Sequence, residues 1–152
     1  VAALVQEQHL EVFVDDFVFT FQESRDAELD LEFPDGIDAD VFLNAFPGRV
    51  DVSSAGHIHT VVVSAQVWDG PPPVEDPSAW DVRDEAPFES VSGDVAVWTP
   101  TMGRTDDLIA LGQQGAWRVR VHCAGRAEAA ALRDSAEAVV GVERFLVQFF
   151  PN

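Results

Sequence analysis

The sequence predicts an all-β fold: an antiparallel β-sandwich or flattened barrel of about eight or nine strands with one or two short helices. Three observations carry that expectation. Short apolar runs alternate at period two along most of the chain. Turn residues (Gly, Pro, Asp and Ser) interrupt them at near-regular spacing. Stretches of helical period are nearly absent. The 152 residues, 47% of them hydrophobic, suit a single domain spanning 1–152 with a sizeable core.

The stretch His57–Trp68 is the longest uninterrupted β-type run. His57, His59, Val61, Val63, Ala65 and Val67 share one face, and Ile58, Thr60, Val62, Ser64, Gln66 and Trp68 the other. Three adjacent valines crowd χ1 against a preceding helical turn, so a strand is preferred. Both faces are partly apolar, which places the strand inside a sheet. Asp69-Gly70 and Pro71-Pro72-Pro73 end it.

From the start of the chain, Val1–Gln8 reads as a frayed arm and His9–Gln22 as a long strand. Asp15-Asp16 interrupts that strand, and a bend there lets it serve two sheets. Ala27–Phe33 alternates as a second strand, hairpinned to the first. Pro34–Asp40 is an acidic loop. Val41–Phe46 is open between a strand and a helical turn, and Arg49–Ser53 is a short strand. Trp80–Phe88 is extended, with Pro87 pointing to an edge or a bulge. Glu89–Ser92 and Val95–Thr99 form a hairpin about Gly93-Asp94. Thr105-Asp106-Asp107 is an N-cap signal for a helical turn through Leu111. Ala116–Ala124 is the cleanest strand: Trp117, Val119, Val121 and Cys123 face one way, Arg118, Arg120 and His122 the other. Ala127–Val139 is open between a helix and a loop. Val142–Phe150 is the last strand.

Charge narrows the function classes. The formal net charge is −18, and all nine cations are Arg. Such acidity disfavours nucleic acid and anionic lipid as direct ligands. It suits solubility, salt adaptation or docking on a basic partner. No apolar run reaches the length of a membrane span. The N-terminal residues lack the basic flank and apolar core of a secretory signal. The single Cys123 excludes an internal disulfide and suits a reducing compartment, so a cytoplasmic location is expected.

Few constellations suggest chemistry. His57-Ile58-His59 has the spacing of metal-binding pairs, so the two histidines are candidate metal ligands. The glutamate of a cupin motif is missing, since Val63 and Ser64 stand where it would be. Cys123 lies on an apolar face and is expected to be a buried neutral thiol. There is no Gly-x-Ser-x-Gly elbow and no phosphate-cradling glycine loop. Arg118, Arg120 and His122 form a positive stripe, explained either by acids on a neighbouring strand, such as Glu143, or by a small anion site or contact surface. The acids cluster at Asp15-Asp16 and through Asp35, Asp38 and Asp40, without the ligand order of a calcium loop.

Three segments taken together resemble a group of small bacterial proteins: Asp15-Asp16 with Phe17-x-Phe19, GAWRVRVHCAGR at Gly115–Arg126, and ERFLVQFFP at Glu143–Pro151. In that group a Gly-x-Tyr-Arg-x-Arg strand is followed by a variable segment and a final strand ending in aromatic-Pro; here Trp117 replaces the Tyr. The group is distantly similar to the competence-associated inhibitor of a DNA-uptake nuclease, an acidic β protein. The resemblance implies a β fold and an inhibitory role, and carries no functional residue across.

The combined reading is a non-enzymatic acidic protein, without cofactor, that docks on a basic protein partner such as a nuclease or toxin. Asp15, Asp16, Asp35, Asp38, Asp40, Arg118 and Arg120 are the candidate contact residues. The alternative is a metal-dependent enzyme or small-ligand binder built on His57 and His59. Oligomeric state is not legible in the sequence.

Overall fold

The computed structural model describes residues 1–132 and 138–152. Ten strands follow in order: β1 (Leu4–Val14), β2 (Val18–Glu23), β3 (Leu43–Phe46), β4 (Arg49–Ser53), β5 (His59–Trp68), β6 (Val82–Ser90), β7 (Asp94–Thr99), β8 (Gly103–Ala110), β9 (Gly115–Ala124) and β10 (Val140–Pro151). One short helix, α1 (Arg126–Ala130), lies between the last two. The strands make two five-stranded sheets, ordered β1-β5-β10-β9-β6 and β3-β4-β2-β7-β8. They face each other as a β-sandwich with no closed barrel. All pairs are antiparallel except β5 and β10, which run parallel with Phe145 opposite Val63 and Phe149 opposite Val67.

Period-two alternation builds the core. In β5 the inward residues Val61, Val63, Ala65 and Val67 are buried while the outward set is half-exposed. Phenylalanines from both sheets then meet edge to face, Phe19 on Phe145 at 5.0 Å and Phe21 on Phe149 at 5.9 Å between centroids. Such contacts contribute roughly 0.5–1.5 kcal/mol beyond the area they bury. Cys123 is fully buried in this layer, and burial pushes its thiol far above the usual range, so it is an inert neutral group.

The bend expected at Asp15-Asp16 is real and is where the chain changes sheets: β1 ends in the first sheet and β2 begins in the second. Four other expectations are corrected. The first residues are not a frayed arm, because β1 begins at Leu4 and pairs with β5 out to Trp68. Ala27–Phe33 is not a strand. Both edges of β2 are taken, by β4 and β7, which leaves no place for the expected hairpin partner. Glu89–Thr99 is not a hairpin, since β6 and β7 belong to different sheets and Gly93 (φ +81°) turns the corner between them. The helical turn expected at Thr105–Leu111 is the strand β8, paired to the open edge of β7. The helical option for Ala127–Val139 holds only as far as α1, and the remainder includes residues 133–137, outside the described set.

Two loops cover the outer faces. Residues 24–42 cross the second sheet over an ion pair, Arg49–Asp51, in which both side chains are buried. Residues 69–81 cross the first sheet, where the Pro72 carbonyl accepts from Arg120. Along one side the sheets are bridged by side chains: the amides of Gln6 and Gln8 on β1 donate to the Ala110 and Leu108 carbonyls of β8.

Candidate functional site

The corner joining the sheets has an unusual backbone. Asp16 (φ +62°) and Phe17 (φ +68°) both adopt the left-handed conformation, and neither is glycine. Aspartate tolerates this region, but for Phe17 it costs about 1–2 kcal/mol, and for an aromatic side chain the region is rarely occupied. The strain presents the Phe17 ring outward, 40% exposed, stacked on the His57 imidazole at 4.8 Å with planes 14° apart. Asp16 Oδ1 lies 4.0 Å from His57 Nε2.

Other segments converge on this end of the sandwich. The backbone N–H of Thr101 donates to Asp15 Oδ1 at 3.3 Å, which brings the β7–β8 turn and exposed Met102 alongside. Ser53, opposite Val18 in the ladder, donates its hydroxyl to the Val41 carbonyl at 2.6 Å, which places exposed Asp40 and Val41 on the same rim. Asp38 Oδ1 accepts from the Asp40 N–H and shapes that approach. Val140, half-exposed, sits opposite Thr60 at the start of β5. The result is a cap of exposed apolar side chains (Phe17, Val41, Met102, Val140) set among the carboxylates of Asp15, Asp16, Asp38 and Asp40.

A buried polar bracket supports the cap. The Ser54 N–H donates to the Phe17 carbonyl at 2.8 Å. The Ser54 hydroxyl donates to Glu143 Oε1 at 2.5 Å, and the Ala55 N–H donates to Glu143 Oε2 at 3.0 Å. The Arg126 guanidinium donates to the same Oε2 at 3.2 Å and to the Ser53 carbonyl at 3.1 Å. His59 Nε2 lies 2.8 Å from Ser54 Oγ. The single hydroxyl proton goes to the carboxylate, so the imidazole N–H donates to Ser54 Oγ. Gly56, which donates its N–H to the same oxygen at 3.1 Å, completes the set.

Ser54, His59 and Glu143 are residue types of a nucleophilic triad, but their order differs. In a triad the carboxylate holds the far nitrogen of the imidazole while the near one activates the serine. Here Glu143 binds the serine itself, and His59 Nδ1 is buried without a partner among the described residues. All three side chains are sealed from solvent. The arrangement clamps the β4–β5 corner to β10 beneath Phe17; it does not activate an attacking oxygen.

The structure separates the surroundings of the sequence-derived candidates. Asp15, Asp16, Asp38 and Asp40 gather on the cap. Asp35 is placed by the buried ion pair instead, its carbonyl accepting from Arg49 at 2.5 Å. Arg118 and Arg120 both donate to Glu85 on β6, at 2.7 and 2.8 Å, so an acid on the neighbouring strand accounts for the stripe. That acid is Glu85 and not Glu143. Burial pushes the Glu85 carboxyl upward, but the two arginines outweigh it and hold the group below its usual range. His57 is partly exposed against Phe17 and Asp16, while His59 is fully buried against Ser54 and Glu143. No group of three or more His, Cys, Asp or Glu side chains stands at metal-binding spacing among the described residues. Sequence reasoning missed the bracket, because Ser54 and Glu143 are 89 positions apart. The left-handed Asp16-Phe17 pair was also missed: aspartate favours that region only weakly, and a phenylalanine does not announce it.

Burial lowers the proton affinity of His59, partly offset by Glu143, and likewise lowers that of His122. Both therefore fold as neutral imidazoles. The unfolded chain binds these protons near the ordinary value of 6.5, the folded one only at lower pH. Stability is thus fully present above that value and is lost as pH falls through and below it. Thermal melts across about pH 7.5 to 5 are expected to show a falling Tm, and His59→Gln/His122→Gln to flatten that limb. A Tm independent of pH in the wild-type chain would contradict the assignment.

No protein-family model matches the chain, and no curated protein does. Among solved structures, ComJ from Bacillus subtilis, an inhibitor of the DNA degrading activity of NucA, has a similar fold. It aligns with a TM-score of 0.62 at 11% identity, covering 100% of this chain and 99% of that chain. The protein called Crocagin biosynthetic gene J aligns with a TM-score of 0.59 at 14% identity, covering 97% of this chain and 99% of that chain. Across the whole sandwich, the chain therefore shares the fold of a nuclease inhibitor, in agreement with the resemblance read from its terminal motifs.

Proposed function

We propose that the chain is a non-enzymatic binding protein, acting as one domain, that docks its acidic cap on a basic protein partner and inhibits it, a DNA-degrading nuclease being the leading candidate. The observation that carries the reading is the left-handed Asp16-Phe17 knuckle. It holds an exposed aromatic ring at fixed geometry inside a ring of carboxylates. Interface hot spots combine these ingredients: a preorganised aromatic anchor, and charge that steers encounter and selects the partner. The net charge of −18 supports a positively charged partner. The fold shared with ComJ supports inhibition of a nuclease. Arg118 and Arg120 spend their charge on Glu85, so the contact is assigned to Asp15, Asp16, Asp38 and Asp40 around Phe17.

The test is inhibition of plasmid degradation by a panel of basic nucleases, titrated with the chain at about 50 and about 500 mM salt. Inhibition that weakens with salt is expected. Asp15→Asn/Asp16→Asn/Asp40→Asn is expected to weaken it by about tenfold or more. No inhibition across the panel, or inhibition indifferent to salt, would defeat the proposal. The reading in which His57 and His59 hold a metal is separated by elemental analysis of the purified chain. Stoichiometric metal lost in His57→Ala/His59→Ala would favour it.

A further inference from the structure

The loop over the first sheet leaves a cavity of about 320 Å³ against the outer face of β6 and β9. Its walls include Val74, Pro77, Trp80, Val82, Arg83 and His122, with the Glu75 and Asp81 carboxylates also lining it. The size lies at the lower end of small-ligand pockets, and the walls are mainly apolar.

Two buried nitrogens on residues lining this space have no partner among the described residues. His122 is 1% exposed, and its Nδ1 lies 3.3 Å from the Leu146 carbonyl. A carbonyl only accepts, so Nδ1 carries the proton and Nε2 is an acceptor; Nε2 has no donor. The Trp80 ring lies 5.4 Å from that imidazole, tilted by 47°, and its indole N–H donates to nothing. Each unsatisfied buried group is costly to the fold. Arg83, exposed at the rim, makes no hydrogen bond or ion pair among the described residues, in contrast to Arg49, Arg118, Arg120 and Arg126. The cavity is thus lined by a guanidinium and an aromatic face, and its walls carry an unpaired acceptor and an unpaired indole donor, both shielded from solvent. Its two carboxylates, in a strongly acidic protein, oppose an anion.

We propose that this cavity binds a small, uncharged, flat heterocycle carrying both a hydrogen-bond donor and an acceptor, the chemistry shared by free nucleobases and aromatic amides such as nicotinamide. The ligand's N–H meets His122 Nε2, and its carbonyl or ring nitrogen takes the Trp80 indole proton. The ligand lies edge-on to the indole N–H, between Trp80 and His122, as Trp80 tilts away from the imidazole to admit it. This site lies on the outer face of the first sheet and is independent of the proposed docking cap.

Proton–nitrogen NMR of the indole N–H groups tests this, with the Trp80 signal assigned by its loss in Trp80→Phe. Adenine, uracil and nicotinamide are the probes and benzoate is the anionic control. At least one neutral probe is expected to shift the Trp80 signal saturably below about 10 mM, with benzoate silent. Trp80→Phe and His122→Phe are expected to weaken that binding about tenfold each, read by calorimetry. Val74→Trp changes an exposed loop residue, so it leaves the fold intact while plugging the cavity, and is expected to abolish the shift. No saturable shift with any neutral probe, a stronger response to benzoate, or binding unchanged in Val74→Trp would overturn the proposal; a cavity that holds only water gives the first of these.

Discussion

Asp51→Ala is expected to destabilise the protein by about 3–5 kcal/mol, the cost of stranding a buried charge. That is a large share of the roughly 5–15 kcal/mol that typically holds a domain together. Arg49 is fully buried and Asp51 nearly so. Their contact is bidentate, Arg49 Nε to Asp51 Oδ1 at 2.9 Å and Nη2 to Oδ2 at 2.8 Å. Asp51 also accepts from the Thr20 hydroxyl at 2.7 Å and the Asn44 amide at 3.1 Å. Removing the carboxylate leaves the Arg49 charge uncompensated and the buried Thr20 hydroxyl without its acceptor, while the Asn44 amide keeps the Gly36 carbonyl. The guanidinium has no route to water, since Phe46 lies 4.8 Å and Phe33 5.8 Å from it. The loop is affected too, because Arg49 holds the Asp35 carbonyl and so positions the segment leading to Asp38 and Asp40. Replacing both partners removes the stranded charge, so Arg49→Met/Asp51→Leu is expected to regain most of the loss. Urea denaturation reads both variants. A loss below about 1 kcal/mol in Asp51→Ala would place the pair in the class of surface salt bridges.

The same pair illustrates what the sequence reveals and what it hides. Arg49 and Asp51 flank Val50 on a strand, so period two alone puts both charges on one face and Val50 and Val52 in the core. That face could be read locally; the loop that buries it could not. The bend at Asp15-Asp16 was legible for a similar reason, as two acids between apolar runs mark a break in alternation. The errors arose where alternation is necessary but not sufficient. Leu29, Leu31 and Phe33 alternate as a strand would, but a strand also needs a free edge, and β2 has none. At Thr105 the capping signal is genuine, since the Asp107 N–H donates to the Thr105 hydroxyl at 3.3 Å. Pairing with the open edge of β7 outweighs it, and the same hydroxyl donates to the Val97 carbonyl at 2.9 Å. The parallel pairing of β10 with β5 leaves no trace in either run, because side-chain period is the same for both strand directions. The bracket of Ser54, His59, Glu143 and Arg126 joins segments with no local relation, and only the assembled sandwich brings them together.

Phe17→Gly is expected to leave stability unchanged or raise it by about 1 kcal/mol, while weakening partner binding by about 30-fold or more. The two effects separate because they come from different atoms. Glycine accepts φ near +68° without a Cβ penalty, which relieves backbone strain of about 1–2 kcal/mol. The lost ring gives up its stack on His57, which contributes less than a buried pair because the ring is 40% exposed. A residue kept only for the fold would show the opposite pattern, with stability falling and binding intact. Phe17→Ala serves as the companion variant: it retains the Cβ and the strain, so it should bind as poorly as Phe17→Gly and be the less stable of the two. Chemical denaturation gives the first quantity, and inhibition of the nuclease selected by the salt-dependent assay gives the second. If Phe17→Gly inhibits as well as the wild-type chain, the ring is not the anchor and the cap loses its central element. If it inhibits poorly at undiminished stability, the left-handed knuckle is strain retained for recognition, which is the physical sense in which this corner is a functional site.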